Sequence, residues 1–161
     1  TAAVRAVAQR WTDLPQALAE AVGRPGAPVW VGKFRWTTDP ADLPEIGVWI
    51  PVDDPRLPDW LRPFGGDALI ALEQGRYAAG VGLKRHNAYG VEIAVGTEPR
   101  HRGKGLAARL VAQAARRILA AGAVPVYIHD PANIASGRTA AAAGFPDRGW
   151  QALGMPPADT V

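Results

Sequence analysis

The sequence predicts a mixed α/β (α+β) domain built on a central, mostly antiparallel sheet flanked by helices. Three strand-like runs joined by short turns follow one another between Ala68 and Val95, and a glycine-broken basic turn then leads into an amphipathic helix and a further strand. Strands joined by short turns pair antiparallel, whereas a strand reached through a helix lies parallel to its neighbour, normally by a right-handed crossover. With 161 residues, 48% of them apolar, the chain is long enough to bury a core without metals or disulfides.

Taken in order, Val4, Val7, Trp11, Leu14 and Leu18 recur at helical spacing, which predicts a helix interrupted near Thr12 to Pro15 and stopped at Gly23. Pro28 to Thr37 alternates Trp30, Gly32, Phe34 and Trp36 with Val29, Val31, Lys33 and Arg35, a strand pattern strengthened by its aromatics. Asp39 to Phe64, rich in Pro, Asp and Trp, reads as irregular or short helical connections with too many large apolar groups to stay in water. The regular part begins at Asp67: Ala68 to Glu73, a turn at Gln74-Gly75, Tyr77 to Lys84, a turn near His86-Asn87, then Gly90 to Val95. A helix from Leu106 to Ala121 puts Leu106, Leu110, Ala114 and Ile118 on one face and Arg109, Gln113, Arg116 and Arg117 on the other, and ends at Gly122. Val124 to His129 is the last strand, followed by an alanine-rich helical run that closes on Ala143-Gly144-Phe145.

Composition excludes several classes. There is no cysteine, hence no disulfide framework, no thiolate zinc site and no acyl-cysteine intermediate. His86, His101 and His129 lie far apart with no ligand spacing, so no metal is expected. No membrane-spanning run or signal peptide is legible, which makes a soluble cytoplasmic protein the expectation. Charge is unevenly distributed around the net +3. Asp39, Asp42, Glu45, Asp53, Asp54, Asp59, Asp67 and Glu73 face only Arg56 and Arg62, whereas nine basic residues from Gln74 to Ala120 face Glu92 and Glu98. An acidic half of this kind concentrates a cationic ligand.

The densest chemical signal is Pro99 to Ala107, where strand, basic turn and helix meet. Gly103 and Gly105 let the backbone turn tightly, the first free N–H groups of the helix converge with a partial positive charge, and Arg100, Arg102 and Lys104 surround the same turn. That is a site for a phosphorylated cofactor. A P-loop is excluded, because Glu98 stands where its first glycine belongs and Gly105 follows Lys104 in place of Ser or Thr. The dinucleotide fingerprint G-x-G-x-x-G is also absent.

Arg102-Gly103-Lys104-Gly105-Leu106-Ala107 resembles the R-x-x-G-x-G/A motif of the GNAT superfamily of acyl-CoA-dependent N-acyltransferases, and Asn133-Ile134-Ala135-Ser136 with the later Gly144-Phe145 is similar to that family's downstream segment. The resemblance runs from about Asp67 to Trp150. It implies a sheet that splays to admit the pantetheine, with residues 67–150 as the cofactor-binding core of a single N-acetyltransferase domain, 1–161, and residues 1–66 supplying acceptor-side elements. The implied cofactor is acetyl-CoA, held by Arg100 and residues 102–107, by the backbone of Val95, Gly96 and Thr97 acting as an added strand, and by Asn133 and Ser136. The partner is a small-molecule or peptide amine, with a cationic one favoured by the charge pattern. A homodimer is compatible with all of this.

An amine acceptor is protonated at neutral pH, so transfer needs a base. Glu92, the acidic residue inside the central strand beside the cofactor turn, is the first candidate. Tyr89 is the second: the spacing of some relatives places a glutamate there, and alternation puts it on the face opposite Glu92. Relatives also carry a tyrosine at the start of the alanine-rich helix as proton donor, where this chain has Ala140, leaving Tyr127, His129, Tyr89 or water. Trp30, Trp36, Trp49 and Trp60 read as core before substrate cage. Two other readings remain at this point. One is a regulator of the same fold that binds acyl-CoA without turnover; the other is a nucleic-acid binder using Arg100, Arg102, Lys104, Arg109, Arg116 and Arg117 as a phosphate stripe.

Overall fold

The computed structural model describes residues 14–156. Most of the helix expected from Val4 onward lies outside them; within them α1 spans Leu14–Ala21 and stops before Gly23, whose φ of 73° is left-handed. The strands are β1 (Trp30–Trp36), β2 (Val48–Ile50), β3 (Ala68–Glu73), β4 (Arg76–Arg85), β5 (Gly90–Thr97), β6 (Val124–His129) and β7 (Gln151–Gly154). The helices α2 (Leu106–Ala120) and α3 (Ile134–Ala142) follow β5 and β6, and short 3-10 turns occupy Asp59–Phe64 and Pro99–His101.

Among the described residues the strands form one sheet in the order β2-β3-β4-β5-β6-β1-β7. All neighbours are antiparallel except β5 and β6, as the meander and the crossover through α2 require. β2 and β7 were not anticipated. Three and four residues are too few for alternation to register, and Gln-Ala-Leu-Gly has little β-propensity; both strands exist because a neighbour offers an open edge.

On one face of the sheet, Leu69, Val81, Val91 and Ile93 pack under Leu110, Val111 and Ile118 of α2, with Tyr127 and Phe145 in the same core. On the other, Leu61 and Phe64 of the 3-10 turn join Ile50, Ile70 and Tyr77. Glycine makes that second contact close: a Cβ on Gly80 or Gly82 would lie 2.7 and 2.6 Å from Leu61 and Phe64 atoms.

The polar face expected on α2 is not a solvated one. Gln113 is buried; its Oε1 accepts from the Ile46 and Gly47 N–H groups and its Nε2 donates to the Gly47 carbonyl. Arg116 donates to the Ala41 and Leu43 carbonyls, Arg109 to the Pro44 carbonyl, and Arg117 lies 4.0 Å over the Trp49 ring. This face instead receives the chain from residue 41 to 49, which brings its own unpaired backbone groups to be satisfied. The acidic and basic halves also meet. Glu45 pairs with Arg116, Asp67 with Arg117 and Glu73 with Lys104, while Asp54 and Asp59 pair locally with Arg56 and Arg62.

Candidate active site

β5 and β6 are held together at their beginnings and separate at their ends. Their register runs Gly90 to Val124, Val91 to Pro125 and Glu92 to Val126, and stops there. Val95, Gly96 and Thr97 therefore lie beyond the last pair, with the edge toward β6 open. A parallel pair that diverges leaves backbone donors and acceptors for an extended ligand.

A cavity of about 610 Å³ fills this gap. It is lined by Val95, Gly96, Thr97, Arg102, Gly103, Lys104, Gly105, Leu106, Ala107, Asn133 and Ser136, which is the sequence-expected cofactor set apart from Arg100. Arg100 lies off the lining and donates through Nε to His101 Nε2 at 3.0 Å. His101, Ala108, Tyr127, Ala135, Arg138, Thr139 and Ala142 also line the cavity and were not assigned to it from sequence. Ala135, Thr139 and Ala142 fall at i, i+4 and i+7 on one helical face, so helical spacing run through Thr139, three residues after Ser136, finds the other two.

Gly103 and Gly105 have φ of 78° and 73°, and a Cβ on either would project into open space. Gly105 is the N-cap of α2 and offers no side-chain cap, and the first turn of α2 holds no acidic residue. The leading N–H groups thus face the cavity without an internal partner, which is an anion site. Around it Arg102 Nε donates to the Thr97 carbonyl at 3.4 Å, and Lys104 Nζ donates to Glu73 Oε2 at 2.8 Å, with His101 Nδ1 2.9 Å from the same oxygen. Lys104's hydrogen bond holds the Glu73 carboxyl below its ordinary value. On the α3 side, Asn133 caps the helix by accepting from the Ser136 N–H at 3.0 Å, while Ser136 Oγ lies 2.8 Å from the Tyr127 hydroxyl.

Glu92 does not line this cavity. Val91 and Ile93 point to the α2 core, so alternation sends Glu92 to the other face, at the point where the strands part. Register makes Trp36, Val126, Glu92 and Lys84 one row across β1, β6, β5 and β4 on that face. The Glu92 side chain is 13% exposed and lies 2.7 Å from His86 Nε2 and 3.4 Å from Lys84 Nζ. Trp60 walls the same face against Gly96, where a Cβ would lie 2.8 Å from its ring; Phe34, Trp36 and Trp150 cluster on the other side, with Arg148 stacked on Trp36.

Tyr89, the second candidate, does not line the cavity either. It is 81% exposed at the start of β5, the end of the strand remote from the glycine turn, and its backbone carbonyl accepts from the Val124 N–H. Alternation along the strand predicts a face and says nothing of distance from the turn. The Tyr89 side chain is turned to solvent and takes no part in the cavity lining. Ala140, standing where relatives carry a tyrosine, is fully buried in the core.

The chain is similar to known proteins. The model of a family described as the acetyltransferase (GNAT) family matches residues 33–145. Among solved structures, a GNAT-family acetyltransferase from Colwellia psychrerythraea superposes with a TM-score of 0.61 at 16% identity, over 79% of this chain and 56% of its own. One from Novosphingobium aromaticivorans gives 0.53 at 26% identity, covering 82% of this chain and 69% of its own. A GCN5-related N-acetyltransferase-like protein from Streptococcus suis gives 0.56 at 22%, covering 92% and 68%. No curated protein sequence is significantly similar.

Proposed function

Because this chain belongs to the GNAT family of acetyltransferases, we propose that it transfers an acetyl group from acetyl-CoA to a primary amine by direct attack in a ternary complex. The observation that carries this reading is the gap between β5 and β6. Uncapped N–H groups of α2 lie at its mouth for the pyrophosphate, and the open edge of Val95, Gly96 and Thr97 runs along it for the pantetheine arm. Arg102 and Arg138 add cationic side chains at the lining, and Lys104 does so on release from Glu73.

The amine enters from the opposite face, where Glu92 takes its proton and His86, in contact with Glu92 and with solvent, passes that proton to water. Aromatic rings on both sides of Glu92 form the walls of this entry. The family reading also suits a protein that binds acyl-CoA without turnover, and Ala140 is the observation in its favour. Calorimetric titration with CoA and acetyl-CoA, followed by thiol release against a panel of cationic, neutral and anionic amines, separates the two. Binding with amine-dependent release supports the transferase, binding without release the regulator, and absence of binding removes both.

A further inference from the structure

We propose that Tyr127 is the proton donor to the sulfur that leaves during transfer, so that in this chain the donor stands on strand β6 and not on α3. The inference rests on the acyl-transfer reading above. Val126 and Glu92 are the last pair of β5 and β6, and Tyr127 is the next residue along β6. Its side chain points to the α2 face and Glu92's to the other, so the two groups bracket the point where the strands part from opposite sides.

Continuing the register puts Tyr127 level with Ile93, four residues or about 13 Å short of Thr97 and the glycine turn. An extended ligand anchored by phosphate at the turn and running along the open edge of β5 carries its far end to this level. There the cavity offers two side-chain hydroxyls 2.8 Å apart, Tyr127 and Ser136. The Tyr127 ring is held by Phe145 and His129 at centroid distances of 6.0 and 6.2 Å, and the residue is 3% exposed. Burial pushes its phenol above the ordinary value, so it carries its proton at neutral pH. Ala140 lies in the same core cluster and brings no hydroxyl of its own.

The step balances. As the C–N bond forms and the C–S bond breaks, the sulfur takes the bonding electron pair and the phenolic proton of Tyr127. The Ser136 hydroxyl relays a proton from solvent back to the phenolate, and the proton given up by the amine goes to Glu92.

The test uses the full chain labelled with carbon-13 at the tyrosine ring carbon bearing oxygen. Only Tyr77, Tyr89 and Tyr127 report, and Tyr127→Phe assigns the third signal. CoA should shift the Tyr127 signal, whereas desulfo-CoA, binding through the same phosphates, should leave it nearly unmoved. Tyr127→Phe, which keeps the ring contacts, should lower amine-dependent thiol release about 100-fold or more while changing CoA affinity less than about threefold. An equal response to CoA and desulfo-CoA, or undiminished release in Tyr127→Phe, overturns the proposal and leaves acyl transfer standing. Failure to bind CoA, or binding without release for any amine, overturns both.

Discussion

A single backbone dihedral decides most at the residue scale. Gly105 sits at φ 73°, lines the cavity, and would place a Cβ in open space, so Gly105→Val both strains the turn and adds a side chain beside the path that phosphate oxygens must take. CoA affinity should fall about tenfold or more with the fold intact by circular dichroism; unchanged affinity by calorimetry would remove the phosphate from this turn. Glu92 is the second such residue. Its carboxylate stands between His86 and Lys84 and away from the cofactor cavity, so Glu92→Gln should lower kcat about 100-fold at neutral pH and leave the CoA dissociation constant nearly unchanged. Turnover like that of the unsubstituted protein from pH 6 to 9 would assign Glu92 to sheet electrostatics. Glu92 is legible in the sequence as a carboxylate within an apolar strand, and Gly105 as part of a motif; Tyr127 is legible only as one replacement donor beside His129, Tyr89 and water, because its value depends on what stands across the gap.

At the scale of elements, α2 is bound on two sides, and periodicity revealed one of them. The apolar stripe Leu110, Ala114 and Ile118 is buried as spacing requires. Gln113, on the polar side, is buried too, because the chain at Ile46 and Gly47 has two N–H groups and a carbonyl with no strand beside them. One amide side chain answers all three. Gln113→Leu keeps the volume and removes the partners, so it should cost about 2 to 4 kcal/mol in urea unfolding, as expected for buried backbone groups left unpaired. A loss below about 0.5 kcal/mol would mean that water reaches this segment freely. Arg116 and Arg117 are committed to the same segment and to Asp67, and so are not free as the phosphate stripe that their spacing suggested.

Over the whole molecule, the order of strands matters more than their number. β1 enters the sheet between β6 and β7, so an early strand is closed on one side by the most C-terminal one. Removing the chain after Gly149 would expose the β1 edge together with Trp30, already 49% exposed. Unpaired edges next to large apolar side chains invite self-association. The truncated protein should therefore elute as larger species in size-exclusion chromatography while the full chain does not, and a monodisperse truncation would show that β7 adds little to edge protection. The charge halves behave in the same collective way, with three cross-pairs joining them in space.

What the sequence determined by itself is whatever local rules govern: the meander with its tight turns, the glycine-broken anion turn, the helix it opens, and the membership those motifs imply. Each depends on residues within a few positions of one another, where steric and hydrogen-bonding preferences act directly. Tertiary structure alone decided that β5 and β6 part after Glu92, that Glu92 and Tyr127 flank that point on opposite faces, that Tyr89 stands at the far end, and that short β2 and β7 are strands at all. These are facts about which distant segments become neighbours, set by packing and by the need to pair every buried backbone group, and no window along the chain contains both partners.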